Sequence, residues 1–186
     1  MRIISGSLKG KKIDFIKSTT TRPLRDFVKE NIFNIVEHSN LIKVRLESSN
    51  VLDLYSGVGS FGIECISRGA KKSTFVENNS KTLIILKKNL NDLKIENQSE
   101  VFNEKIISFI GRLNNKDKFE ILFFDPPFAE NIFIEELNLI KESAIYKKKH
   151  LIIIHREEKS KDNLERIINI LLIKNYGRSK VIFGTF

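Results

Sequence analysis

One cysteine, Cys65, stands in 186 residues. A lone thiol excludes an intrachain disulfide and any zinc site built from several cysteines. On a helical stretch after a glycine-rich turn it reads as a buried structural thiol. Histidine is almost as sparse. His38, His150 and His155 show no metal-ligand spacing, so each reads as structural and no metal is expected. Long apolar runs are also lacking: Leu151 to Ile154, and Ile167 to Ile173 interrupted by Asn169, fall short of the ~20 residues a membrane helix needs. Met1-Arg2-Ile3-Ile4-Ser5-Gly6 has no signal-peptide core, which makes the cytoplasm the expected compartment and a membrane an unexpected partner. No repeat or low-complexity tract interrupts the chain.

What is present suits one compact unit. Hydrophobic residues make up 41% of the chain, enough to bury a sizeable single core. The net charge of +9 suits a polyanionic partner, although a Lys-, Ile- and Asn-rich composition of this kind also arises from codon bias. Distribution discriminates better than the total. Arg2, Lys9, Lys11 and Lys12 fall in the first 12 residues without an acid, and Arg22, Arg25 and Lys29 follow, marking this segment as the candidate nucleic-acid contact. Lys147-Lys148-Lys149 reads instead as a solvated loop before a buried strand.

The chain has three prolines, and two of them adjoin in Asp125-Pro126-Pro127-Phe128, after the apolar run Phe119 to Phe124. Consecutive prolines stop a strand and fix its end. The Asp125 carboxylate and the Pro126 carbonyl then form two acceptors on one rigid turn, and Pro127 holds Phe128 where its ring can stack on a flat substrate. Such a pair suits a planar –NH₂, whose lone pair is delocalised and must be drawn back onto nitrogen before it can attack. A second element begins at Val51-Leu52-Asp53-Leu54-Tyr55, a short buried strand, and continues into Ser56-Gly57-Val58-Gly59-Ser60-Phe61-Gly62. Gly57, Gly59 and Gly62 form a G-x-G-x-x-G turn opening a helix, where free N–H groups and bare backbone receive a ligand. Glu77, 20 residues after Gly57, ends a second strand where an acid bonds ribose hydroxyls, and Asn78 could border adenine. Asp53 narrows the cofactor, since a carboxylate beside the loop suits a cation such as S-adenosylmethionine better than a pyrophosphate. Tyr55, Ser56 and the three glycines complete the expected cofactor contacts.

Periodicity predicts strands near 51–55, 73–77, 100–103, 119–124, 150–155, 170–175 and 179–185. They alternate with helices near 60–68, 80–92, 105–111, 131–141 and 161–169. Alternation implies an α/β, mostly parallel, seven-stranded sheet with an antiparallel edge. Before it, Arg2 to Ser5 and Lys11 to Ile16 predict a small hairpin. A helix then starts at Pro23, with Phe27, Ile32, Phe33, Ile35 and Val36 as its docking face. Residues 41–50 read as a connector.

These blocks resemble the RsmD-type 16S rRNA guanine-N2 methyltransferases. The likeness rests on Met1 to Gly6, Lys9 to Lys12, Thr21-Arg22-Pro23, Val28 to Asn34, Asp53 to Gly62, Ser67-Arg68-Gly69-Ala70 and Asp125 to Phe128, in order and spacing. It covers nearly the whole chain, and the N-terminal blocks are its most specific part. It implies a Rossmann-like class I S-adenosylmethionine-dependent fold, with an RNA-binding extension in residues 1–40 and a methyltransferase domain in residues 41–186. It further implies methyl transfer to N2 of one guanine in 16S rRNA or the small ribosomal subunit, by a monomer. Two departures stand out. Leu24 and Arg25 replace small hydroxyl residues, and Lys105 stands where the family commonly offers an acid toward adenine. DNA-adenine and protein-glutamine methyltransferases, a nicotinamide oxidoreductase and a noncatalytic RNA-binding assembly factor are the competing readings.

Overall fold

The computed structural model describes residues 1–15, 24–113, 118–127 and 132–186, so Arg22 and Phe128 lie outside the described residues. Strands β1 (Asn50–Leu54), β2 (Lys72–Val76), β3 (Ser99–Phe102), β4 (Phe119–Phe124) and β5 (Tyr146–Glu157) pair in parallel. β6 (Asn169–Tyr176) and β7 (Ser179–Thr185) form the antiparallel edge, giving the order β3-β2-β1-β4-β5-β7-β6. Five helices accompany the described strands: α1 (Asp26–His38), α2 (Ser60–Ser67), α3 (Ser80–Leu93), α4 (Ile106–Arg112) and α5 (Phe133–Ser143). No described helix is long and apolar enough to cross a membrane.

Side-chain alternation divides the core into two faces. Leu52, Leu54, Leu122, Phe124, Ile152 and Ile154 pack with Phe109 of α4 and Leu137 of α5. Val51, Ile121, Phe123, Leu151 and Ile153 face the other way, toward α1 and α2. There Phe33, Phe61 and Phe123 stack in a column, with centroid separations of 5.2 Å and 4.0 Å. This column fastens α1 to the sheet through α2. α3 starts at an Asn79 cap whose Oδ1 accepts from Lys81 N and Thr82 N, and α1 starts at Arg25 with no side-chain cap, as the missing hydroxyl predicts.

Several expected elements are revised. The helix near 161–169 is only a short 3₁₀ turn, Leu164–Arg166, because β7 recruits the backbone from Asn169 onward into a ladder. Among the described residues the N-terminal hairpin is an Arg2↔Lys12 bridge flanked by Ile3 N to Lys11 O and Ile13 N to Met1 O bonds, while its expected end at Ile16 and the expected helix start at Pro23 lie outside them. Lys147-Lys148-Lys149 forms the exposed start of β5 rather than a loop. Phe27 leaves the predicted docking face: it is 65% exposed and meets only the edge of Tyr176 among described ring contacts.

Lys29, expected to face RNA, is instead buried, and this corrects that assignment. Its Nζ donates to Arg2 O at 3.0 Å and Ser60 Oγ at 3.3 Å, and lies 3.4 Å from Glu64 Oε2. Glu64 is equally buried. Its carboxylate also accepts from Ile4 N at 2.8 Å, Ser5 N at 3.0 Å and Arg68 Nε at 2.9 Å. Gly6 permits this close approach of the segment to α2, because its φ is +83° and a Cβ there would overlap the Ser67 carbonyl. The N-terminal segment is thus pinned on α2 by one acid. Removing one member of a buried charged set strands the others. Lys29→Met is expected to lower the unfolding free energy by about 3–5 kcal/mol in urea titrations. Adding Glu64→Gln to it should restore part of the loss.

Candidate active site

Parallel register brings the expected residues to one edge. Asp53 lies opposite Phe75 on β2 and Phe123 on β4, while Leu54 lies opposite Val76 and Phe124. Glu77 and Asp125 are therefore the first residues beyond their strands, level with Tyr55. Lateral bonds tie these ends together: Ser56 N to Val76 O at 3.1 Å, Glu77 N to Phe102 O at 3.1 Å and Asp125 N to Leu54 O at 3.4 Å. The sheet order reverses direction between β1 and β4, and in such sheets ligands bind beyond the carboxyl ends at that reversal.

The glycine turn is built around two acids. Asp53 sits on the α2 face of β1, 1% exposed, and its Oδ2 accepts from Gly62 N at 2.9 Å. A Cβ at Gly62 would overlap the Phe75 ring, and one at Gly59 would overlap Leu86, so both glycines allow close packing of the turn. Gly57 differs: its φ is +55° and nothing lies within 4 Å of the position a Cβ would take. Glu77 holds this open residue, accepting from Gly57 N at 2.8 Å and from Asn79 N at 2.8 Å. Asn78 is exposed beside it. Ser56 Oγ is buried with no hydrogen-bond partner among the described residues.

Burial pushes the Asp53 carboxyl well above its ordinary 3.8. The Gly62 bond opposes this, and the nearby charges of Asp125 and Glu77 add to it. Asp53 thus feels the field of both neighbouring acids.

Asp125 is gripped from β5. Its Oδ1 lies 2.7 Å from His155 Nδ1, with the carboxylate side chain 25% exposed. The next residue, Arg156, is fully buried and donates from its Nη1 to Pro127 O at 3.2 Å. Asp162 holds that guanidinium through two bonds of 2.9 Å and 3.2 Å, and the Phe133 ring lies 4.3 Å from it. Pro126 is buried between these contacts in sequence. Tyr55 departs from strand geometry at φ +58°, which turns its side chain to the opposite face, where its hydroxyl donates to Glu136 of α5.

Comparison with known proteins gives this geometry a family. A model described as "Conserved hypothetical protein 95" matches residues 1–185. Ribosomal RNA small subunit methyltransferase D from Haemophilus influenzae is 36% identical over 159 residues, 85% of this chain and 79% of that protein. The chain belongs to the RsmD family. Its relative yhhF from Escherichia coli superposes with a TM-score of 0.84 at 26% identity, covering 100% of this chain and 97% of that one. SMU.776, a structure solved with SAH, shares the fold at a TM-score of 0.66 and 13% identity, covering 85% of this chain and 49% of that one.

In this RsmD family member the expected basic residues separate. Arg2, Lys9, Lys11, Lys12 and Arg25 are exposed, unlike Lys29. Asn89 of α3 connects their segment to the glycine turn, donating to Asp14 O at 3.0 Å and Val58 O at 3.1 Å. Lys105 is exposed at the start of α4, next to Glu104, which pairs with Arg112. His155, Arg156 and Glu136 were not singled out by sequence. The available signal was parity: His155 follows Ile154 as Asp125 follows Phe124, and these two apolar residues are register partners.

The raised Asp53 carboxyl yields a stability test. Its ionisation is disfavoured in the folded state, so wild-type stability falls as pH rises from about 4 through the folded pKa. Asp53→Asn cannot ionise. Its stability relative to wild type is expected to increase over that rise and stay level below pH ~4, read from thermal melts across pH.

Proposed function

We propose that this protein transfers a methyl group from S-adenosylmethionine to the exocyclic N2 amine of a guanine in 16S rRNA of the small ribosomal subunit. The coarser statement, an S-adenosylmethionine-dependent rRNA methyltransferase, follows from the family and from the relatives' names. The observation that carries the finer reading is the Asp125 carboxylate, held on a proline turn within the field of the cofactor-side acids.

The residues present fit the cofactor. A buried hydroxyl at Ser56 without a partner among the described residues, open backbone at Gly57 and the buried Asp53 carboxyl supply a donor or acceptor, bare surface and an acid whose ionised form a cationic ligand would favour. Gly57, Gly59 and Gly62 would cradle the methionine portion and Glu77 the ribose, while Asn78 would border adenine. Asp53 would act on the cationic end chiefly through its field, because it is buried beneath the turn. Tyr55 would contribute its backbone, with its hydroxyl engaged by Glu136. Bound S-adenosylmethionine supplies an electrophilic methyl whose bond to sulfur breaks, with the electron pair going to sulfur, as nitrogen bonds to carbon.

The chain's own residues orient the amine. Asp125 and the Pro126 carbonyl accept hydrogen bonds from its two N–H groups, localising the lone pair and stabilising the positive charge that develops on nitrogen, which then loses one proton to solvent or to Asp125. Pro127 fixes the turn. Phe128 would stack on a guanine turned out of its helix. Residues 1–40 would form the RNA-facing extension, with Arg2, Lys9, Lys11, Lys12, Arg22 and Arg25 meeting phosphates. The Asn89 bridge supports that assignment, since it sets the segment beside the glycine turn.

Mass spectrometry of nucleosides from 16S rRNA, with and without the gene, tests the reading; loss of N2-methylguanosine is expected, and an unchanged nucleoside profile would overturn it. Asp125→Ala should lower the transfer rate by at least ~100-fold while SAH affinity in calorimetry stays within about twofold. Replacing Lys9, Lys11 and Lys12 together with alanine should weaken RNA binding and reduce the slope of log K against log salt by about 2.

A further inference from the structure

We infer that His155 is a positioning residue for the amine-orienting carboxylate, an inference that rests on the function proposed above. Its Nδ1 lies 2.7 Å from Asp125 Oδ1, and its side chain is 10% exposed. A carboxylate offers only acceptors, so the ring nitrogen facing it carries the proton. That hydrogen bond engages one Asp125 oxygen, and the other has no partner among the described residues.

Three features argue for placement rather than packing. First, a strand-end aspartate has two rotatable side-chain bonds, and a misplacement of about 1 Å in a reacting group can cost ~100-fold in rate. Second, alternation along β5 puts His155 on the same face as Ile153 and brings it across from Asp125, whose strand neighbour Phe123 shares that face. The contact is therefore set by backbone register and does not depend on a mobile loop. Third, the ring meets a single carboxylate oxygen at 2.7 Å, whereas a bidentate guanidinium in its place would occupy both oxygens. Arg156 complements this one residue on, holding the far end of the turn through Pro127 O while its own charge is matched by Asp162.

A double-mutant cycle with Asp125 tests the role in single-turnover methylation of small subunits from cells lacking the protein. His155→Leu should slow transfer roughly 10- to 100-fold with SAH affinity within about twofold. His155→Asn, which retains a side-chain N–H, should recover most of the rate. In an Asp125→Asn background His155→Leu should have no further effect. An equal loss in both backgrounds, or a loss of SAH affinity in step with rate, overturns the inference. A readout without turnover accompanies it: the exchange-protected Nδ1–H proton resonance of His155 should disappear in Asp125→Ala, and its persistence would equally overturn the assignment. Methylation of a base other than guanine by the wild type would defeat the functional reading alone, because the cycle is read on whichever amine accepts the methyl.

Discussion

Parallel pairing of β1 with β2 on one side and β4 on the other is the constraint from which the site follows. With Leu54 level with both Val76 and Phe124, the residues that end these strands meet at one height. No loop has to travel to assemble Asp53, Glu77 and Asp125. The lateral bonds at Ser56, Glu77 and Asp125 continue the sheet one residue past its formal end, so the acids stand on hydrogen-bonded backbone. Ionising Asp53 there is costly, chiefly because it is buried and further because Asp125 and Glu77 lie near, and its carboxyl is displaced upward. A cationic ligand relieves that cost, which is why such an arrangement suits a sulfonium better than a phosphate.

The second constraint is Glu64, which collects donors from Ile4, Ser5 and Arg68 and lies beside the Lys29 ammonium. It lies one turn from Ser60, the first residue of α2, whose hydroxyl receives a bond from Lys29. The basic N-terminal segment and the turn are therefore held by the same few groups. Asn89 adds a second tie on the other flank, through Asp14 and Val58.

Much of this was legible in the sequence because it depends on local pattern. The glycine spacing, the Pro-Pro stop and the period-two apolar runs locate strand ends, and strand ends locate the acids. Two kinds of feature were not legible. Lys29 occupies a run of basic residues and reads as surface, and only the partner Glu64, 35 positions along the chain, turns it inward. The stretch from Lys161 to Ile168 has helical spacing, yet pairing of the following residues with β7 leaves it a single turn. His155 reads as structural from the sequence because no local spacing marks it. Its partner sits 30 residues away, and the contact exists only once β4 and β5 are known to be neighbours.

The buried set around Glu64 also bears on how such a chain can change over time. Each member neutralises or satisfies another, so a single replacement at Glu64 leaves the Lys29 ammonium without its ion-pair partner in a dry setting. Drift at Lys29, Glu64 and Arg68 is consequently expected to proceed by paired or triple exchange, with intermediates that fold poorly. The exposed lysines nearby carry no such linkage and are at liberty to wander one at a time.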